Sequence, residues 1–433
     1  MTGLVLNGII GSGIFGVPSE LIRLLGRASP VAMIVAALVI GTIVASVAEV
    51  ASQFSAEGGP YLYVRTAFGP LAGLQVGWFS LLSYIGATAA NANLFVVYLA
   101  SILPASGRGW TRAAIMIVLI AIPAVVNCLG IRGGTGLSSA LAVAKLLPLA
   151  LLILLGIIRF GNRIPAVHVS EIASPGWGAW LSALLLLVFA YGGFENPLVA
   201  GGEVKDPRRT IPFALATGMI VCAITYTMLQ FVVTTTTMGS PATDHPLTQA
   251  AAALIGRGGA AFVAIAVMIS TYGWISATIL EGPRYAYAFA AEGDFPPFLG
   301  RLHPRFHTPA LTIVLFSLVT CILAVTGSFL WALVLTVGAK IVYYSGMCAA
   351  LIRLRRIRPH ADALRVPFGP VLAAIGIFIS LALLTRLQLR DFLIMGATAL
   401  IGAANWRWAR RRWNNSQAAG ASPASIGSGS DGC

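Results

Sequence analysis

Charge is what this sequence has least of. Only 10% of its 433 residues are Asp, Glu, Lys or Arg, and just 14 are acidic. Soluble domains carry about 25% charged residues, so a water-soluble fold of this length could not cover its surface. Cysteine is equally sparse: five, at 128, 222, 321, 348 and 433, odd in number and mostly inside apolar segments. That scatter excludes a disulfide framework and a metal-binding pattern. The five histidines, 168, 245, 303, 307 and 360, all fall between the long apolar runs. No His-Glu-x-x-His set or Ser/His dyad can therefore form inside a membrane, and the chain is not expected to be an enzyme. A cleavable leader is not expected either, because the first apolar stretch lacks a basic region ahead of it.

What is there is apolar. Hydrophobic residues make up 58% of the chain and the mean hydropathy is +0.86. A membrane-spanning helix needs roughly 20 predominantly apolar residues. Gly, Pro and basic clusters cut the sequence into twelve candidate spans, near 2–25, 31–53, 71–102, 112–129, 137–158, 178–202, 210–237, 259–291, 309–326, 329–351, 368–386 and 391–408. The expected fold class is an all-α polytopic membrane protein of about 12 transmembrane helices, one domain over 1–408. Residues 409–433, rich in Ala, Ser and Gly after Trp413, read as a disordered cytoplasmic tail.

The net charge of +14 could suggest a nucleic-acid partner, but its distribution argues for none. With the N-terminus inside, one face receives Arg65, Arg132, Lys205 with Arg208 and Arg209, Arg284, Arg301 and Arg305, five arginines over 353–365 and four over 407–412. That is seventeen basic residues against nine on the other face, with Lys145 and Lys340 inside spans. Positive residues collect on the cytoplasmic side, so both termini are expected there, in a multi-pass protein of the cell (inner or plasma) membrane. The partners expected are the lipid bilayer and a small molecule; a monomer and a homodimer both remain open.

Two of the apolar runs are poor helix. The first holds four glycines in Gly8-Ile9-Ile10-Gly11-Ser12-Gly13-Ile14-Phe15-Gly16, and the sixth holds Phe189-Ala190-Tyr191-Gly192-Gly193-Phe194-Glu195-Asn196-Pro197. Each helical Gly costs about 1 kcal/mol against Ala. In hydrocarbon, unwound backbone is tolerated only where protein or a water-filled cavity satisfies it. The first motif also suits close helix packing. The two breaks lie five spans apart, and paired breaks at matching positions of two halves point to a transporter site between repeats. The free N–H groups near Ser12 and Gly13 would suit a carboxylate. Carbonyls released at Phe189, Ala190 and Tyr191 would suit an ammonium.

At these residues the chain resembles the amino acid permeases of the amino acid–polyamine–organocation superfamily. Gly11-Ser12-Gly13-Ile14-Phe15 with Pro18 is similar to the first-helix signature of that family. The 189–195 run followed by Glu203, Asp206-Pro207-Arg208 and Ile211-Pro212 is similar to its sixth helix and following loop. Glu57-Gly58-Gly59-Pro60-Tyr61 through Phe68-Gly69 is similar to its first cytoplasmic loop. Arg284, Glu292-Gly293-Asp294-Phe295-Pro296 and Thr308-Pro309 are similar to the end of its eighth helix. The likeness runs from residue 4 to about 410. It implies a five-plus-five inverted repeat with broken helices 1 and 6, as in sodium-coupled amine transporters: repeat one near 2–158, repeat two near 178–351, and two additional helices over 368–408. Only ten residues precede Gly11, where family members carry a polar segment and a turn or two more of helix. The resemblance thus implies a chain start upstream of Met1, or else an unusually short half-helix.

The resemblance also implies site residues. Ile10, Gly11, Ser12 and Gly13 would meet a substrate carboxylate; Phe189, Ala190 and Gly192 would meet its amino group, with Phe189 as an aromatic gate. Lys145, in a position where many members carry lysine, would stand where relatives bind sodium, near Ser270 and Thr271. An intramembrane lysine costs about 2.5–3.5 kcal/mol on insertion scales, so it either couples protons or locks helices together. Glu195 is a candidate proton carrier, or an acid capping the break; Lys340 either pairs with it or snorkels. Tyr84, Thr88 and Asn91 form a helical stripe, with Asn93 beside it, that could line a cavity. Phe15, Phe189 and Trp274 are candidate pocket walls, and Glu281 with Arg284 a candidate inner gate. No acid stands ready for a cationic side chain. The expectation is a secondary transporter of neutral amino acids working by alternating access, proton-coupled or exchanging, with no cofactor beyond a coupling proton. A polyamine or organic amine antiporter, or a transport-dead amino acid sensor of the same fold, is the alternative.

Overall fold

The computed structural model describes residues 1–54, 58–130, 135–160, 175–204, 206–237, 243–291, 293–358 and 363–418, without the side chains of 135–145, 200–203, 291, 297 and 412–418. Glu57, Arg132, Lys205, Glu292 and residues 419–433 of the expected tail lie outside the described residues, as does the side chain of Lys145.

Every regular element among the described residues is helical. In chain order they are α1 (Thr2–Ile9), α2 (Gly13–Gly16), α3 (Pro18–Leu25), α4 (Ser29–Ala51), α5 (Gly59–Phe68), α6 (Pro70–Ala100), α7 (Gly109–Cys128), α8 (Thr135–Phe160), α9 (Trp177–Tyr191), α10 (Pro207–Thr237), α11 (Pro246–Ala291), α12 (Ala310–Thr326), α13 (Phe329–Ile357), α14 (Gly369–Leu384) and α15 (Leu389–Ala418). Among the described residues six helical stretches are long and apolar enough to cross a membrane; Thr2–Gly16, Leu146–Phe160, Trp177–Tyr191, Ala310–Thr326 and Gly369–Leu384 are shorter apolar helices. This is a polytopic membrane protein.

α6 and α13 form the centre. Their most apolar windows are 78% and 72% buried inside the protein, against 28% for α7. Small residues explain the close approach: a Cβ on Gly86 of α6 would meet Ala332 and Thr336 of α13. Such residues let backbones pack where lipid supplies no hydrophobic drive between helices. α4 packs on α10, α13 and α14, and α11 packs on α6 and α7.

The sixth span breaks where the sequence reading expects it: it stops as α-helix at Tyr191 and continues from Asn196 as 3-10 helix, because Gly192-Gly193 and Pro197 deprive the turn of helix formers and one N–H donor. The structure differs from that reading in three places. The stretch after Gly58, expected as a loop, forms α5, with Pro60 in its first turn, a position that tolerates proline. α11 starts thirteen residues early, at Pro246, and kinks at Ile255–Gly256, where Gly256 has φ +73°. The last helix runs on to Ala418 rather than ending near 408.

Candidate transport site

The two breaks lie against each other. α1 ends at Ile10 (φ −77°, ψ 80°), and the chain resumes helix at Gly13. α9 ends at Gly192, and Gly193 adopts φ +101°. A Cβ on Gly8 would stand 2.5 Å from the Gly193 carbonyl oxygen, and one on Gly13 would stand 2.5 Å from Ala190 Cα. The glycines thus do two jobs, allowing the unwound backbone and letting two backbones cross where no side chain fits.

Carbonyls freed near the breaks find buried tyrosines. Tyr226 Oη donates to the Ile9 carbonyl at 3.0 Å, and Tyr98 Oη to that of Phe15 at 2.7 Å. The Tyr191 hydroxyl turns to the Met33 carbonyl at 3.0 Å. Other buried polar atoms have no partner among the described residues: Ser12 Oγ, Ser270 Oγ, Asn91 Oδ1 and Trp274 Nε1. Most buried polar atoms are hydrogen-bonded, so four unmatched ones mark a place for water or a polar ligand.

Of the residues singled out in the first break, Gly11 faces open space: a Cβ there would meet only Trp274 Cε3, at 3.9 Å. Ile10 and Ser12 are buried beside it. Gly13 faces Ala190 instead. From the second break, Phe189 is buried with its ring 6.4 Å from that of Phe329 and at 86° to it. Phe329 in turn abuts Gly16. Gly192 lies against the Lys340 side chain: its missing Cβ would stand 2.5 Å from Lys340 Nζ. The two hydroxyls of α11 also part company. Thr271 Oγ1 donates to Val267 and Met268 carbonyls of its own helix, at 2.9 and 3.1 Å, whereas Ser270 Oγ has no such partner.

Glu195 carries a dense network. Its Oε1 accepts from Lys340 Nζ at 2.8 Å and from Tyr343 Oη at 2.6 Å. Its Oε2 accepts from Tyr344 Oη at 2.9 Å and from the Gly193 N–H at 2.8 Å. Lys340 and Glu195 are each 7% exposed at the side chain. In this geometry Glu195 caps the broken backbone and pairs with Lys340, which does not snorkel. An adjoining cavity of about 20 Å³, bordered by Tyr84, Glu195, Trp274 and Lys340, has room for about one water.

Below this centre a cavity of about 860 Å³ opens among α1, α5, α6 and α11, with Asn7, Gly8, Tyr84, Asn196, Trp274 and Glu281 among its walls. It lies on the face carrying the N-terminus and the 58–68 segment. Glu281 and Arg284 both line it, close enough for the guanidinium to act on the carboxylate, and no direct ion pair joins them among the described residues. Arg65 pairs instead with Asp294, which also accepts from Tyr61 Oη. On the opposite face a smaller cavity, about 180 Å³, stops at Gly16 and Phe329. The molecule is thus open on one face and closed on the other by the Phe189–Phe329 pair.

Thr88 and Asn91 bond to carbonyls of their own helix through Oγ1 and Nδ2. Asn93 reaches across to the Ala324 carbonyl and to Arg112. Sequence reasoning missed Tyr343, Tyr344, Asn7 and Asn196. For Tyr343 and Tyr344 a signal existed: they sit one turn beyond Lys340 on an otherwise apolar helix.

A helical membrane protein with paired broken helices and a one-sided polar vestibule is of the transporter class. The amino acid permease family model matches residues 1–404, and the chain belongs to that family, within the amino acid–polyamine–organocation superfamily. It is 26% identical to the serine/threonine exchanger SteT of Bacillus subtilis over 93% of this chain and 92% of that protein. It is 27% identical to the human large neutral amino acids transporter small subunit 2, over 82% and 69%. To the mouse cationic amino acid transporter 4 it is 25% identical, over 87% and 61%. These relatives are transporters, and amino acid transport is the family's function.

Proposed function

We propose that this chain moves small neutral amino acids across the cell membrane by alternating access, as an exchanger or with a proton. The observation that carries this reading is the set of unmatched polar atoms, Ser12 Oγ, Ser270 Oγ and Trp274 Nε1, beside the one glycine of the first break with open space, Gly11. A carboxylate there accepts from the amides of Ser12 and Gly13 and from the Ser12 hydroxyl, at the start of a half-helix whose dipole favours an anion. The ammonium meets carbonyls of the α9 break, at Phe189 and Ala190. Phe189 and Phe329 close the site on one side; Tyr84 and Trp274 stand at the mouth of the vestibule on the other. Twelve spans in a five-plus-five repeat with both termini in the cytoplasm make that vestibule inward-facing.

Apolar walls at Phe15, Phe189 and Trp274 favour a small neutral side chain, and the serine/threonine exchanger among the relatives supports exchange. In this reading Lys145 takes the place of a coupling sodium ion, as the family resemblance implies. A cationic substrate is the second reading, favoured by Glu281, the carboxylate lining the vestibule. Counterflow in proteoliposomes decides: vesicles loaded with unlabelled L-serine should accumulate labelled L-serine without sodium. Labelled L-arginine accumulating in its place would establish the second reading, and binding without any uptake would identify a sensor.

A further inference from the structure

The small cavity on the face away from the vestibule is lined by charge of both signs. Arg112, Glu20 and Asp244 surround it, with Asn93 beside Arg112 and with Gly16 and Phe329 as its floor. Its volume of about 180 Å³ far exceeds the roughly 10–15 Å³ that one water needs.

The guanidinium is held from behind. Arg112 Nη2 donates to the buried Asn93 Oδ1 and to the Gly327 carbonyl, the latter at 3.1 Å. Its Nε and Nη1 have no protein partner among the described residues. An arginine fixed on one edge offers the other for two parallel bonds to a carboxylate. Across the cavity, Glu20 accepts at Oε1 from Arg23 at 3.0 Å, which leaves Oε2 for another donor. Asp244 makes no hydrogen bond or ion pair among the described residues. One anchored cation facing two carboxylates across a space of this size complements a zwitterion, not a simple anion or cation.

We propose that this cavity is a second binding site, outside the closed gate, for a zwitterionic amino acid: carboxylate on Arg112, ammonium on Glu20 and Asp244. It rests on the transport reading above, because only there does this face look outwards. Phe329 separates it from the central site, since the same ring floors the cavity and meets Phe189. A molecule captured here waits one aromatic layer from the site it enters when the gate opens, while the central site empties inwards.

The test is equilibrium binding of labelled L-serine to purified protein, or of whichever neutral amino acid the counterflow assay returns. Wild type should bind two molecules per chain. Gly11→Val, which fills the central site, should bind one, and adding Arg112→Gln should weaken that residual binding at least tenfold. Arg112→Gln alone should keep the central component, which also shows that it folds. Ethanolamine and acetate, each half a zwitterion, should displace the residual label poorly. The proposal is overturned if Gly11→Val binds nothing, if Arg112→Gln leaves its residual binding unchanged, or if acetate alone displaces it. Two undiminished components in Gly11→Val would instead sink the central site and leave the outer one to be read from Arg112→Gln alone, as loss or retention of one component.

Discussion

Replacing Lys340 by Met removes one side of a buried ion pair and leaves the other in place. In wild type the Glu195 carboxylate has four donors: Lys340, Tyr343, Tyr344 and the Gly193 amide. Lys340→Met keeps three donors but strands the negative charge in a site 7% exposed. Breaking a buried pair from one side costs about 3–5 kcal/mol, whereas replacing both partners by neutral groups is close to neutral. Lys340→Met should therefore lower the melting midpoint of detergent-purified protein by roughly 5–10 °C, given the shift per kcal/mol expected for a long chain. Glu195→Gln strands the Lys340 charge in turn and sets an amide NH2 against the Gly193 N–H, so it should cost a similar amount. The double variant Glu195→Gln with Lys340→Met should melt within a few degrees of wild type. Size-exclusion chromatography after a heating series gives all four midpoints. A Lys340→Met protein as stable as wild type, or a double variant worse than either single, refutes the assignment of an energetically coupled clamp. The double variant carries a second answer: if it keeps gradient-driven accumulation, Glu195 fastens the broken helix and is not a proton carrier.

Three further outcomes follow from the same geometry. Gly11→Val should abolish uptake in a well-folded protein, because its side chain meets only Trp274 at the position of a missing Cβ, while Gly13→Val should also lose stability against Ala190; wild-type uptake by a well-expressed Gly11→Val removes the central site from this break. Phe189→Ala takes away an aromatic pair worth about 0.5–1.5 kcal/mol and should raise the apparent substrate constant roughly two- to tenfold; unchanged kinetics mean that Phe189 does not seal the site. Uptake should be independent of sodium and respond to an inward proton gradient, and Lys145→Ala should lose the gradient response while retaining some exchange; strict dependence on sodium in wild type ends the proton reading.

The breaks were legible because composition alone reports them. Four glycines in nine residues, and Gly-Gly followed by Glu and Pro five spans later, cannot be ordinary helix in either halfway competent span. The crossing of Gly8 with Gly193 was not legible, since it depends on how α1 and α9 approach, and a glycine that unwinds looks the same as one that packs. Gly13 and Gly192 illustrate the confusion: both belong to the broken segments, yet the missing Cβ of each faces protein, Ala190 in one case and Lys340 in the other. Ser270 and Thr271 show a similar limit. Adjacent hydroxyls are equal on paper, but on a helix they point about 100° apart, and only Thr271 has its own carbonyls in reach. α5 escaped the hydropathy reading because a short helix with Arg65 and Thr66 has no long apolar run.

The two cavities give the asymmetry a mechanical sense. Between the vestibule and the centre stand Trp274 and Tyr84, and the charged Glu281 and Arg284 line its wall. Between the smaller cavity and the centre stand Phe189 and Phe329, tight against Gly16. Closing the vestibule requires α1 and the 196–203 segment to approach α11, and both hang from unwound backbone. The clamp at Glu195 ties the second of these to α13, which belongs to the most buried part of the protein. The end of the first half-helix is held by the bond from Tyr226 to the Ile9 carbonyl and by glycine contact with Gly193. In the transport cycle proposed above, α1 is a half-helix whose movement opens and shuts the vestibule while the α9 break stays fixed to its lysine.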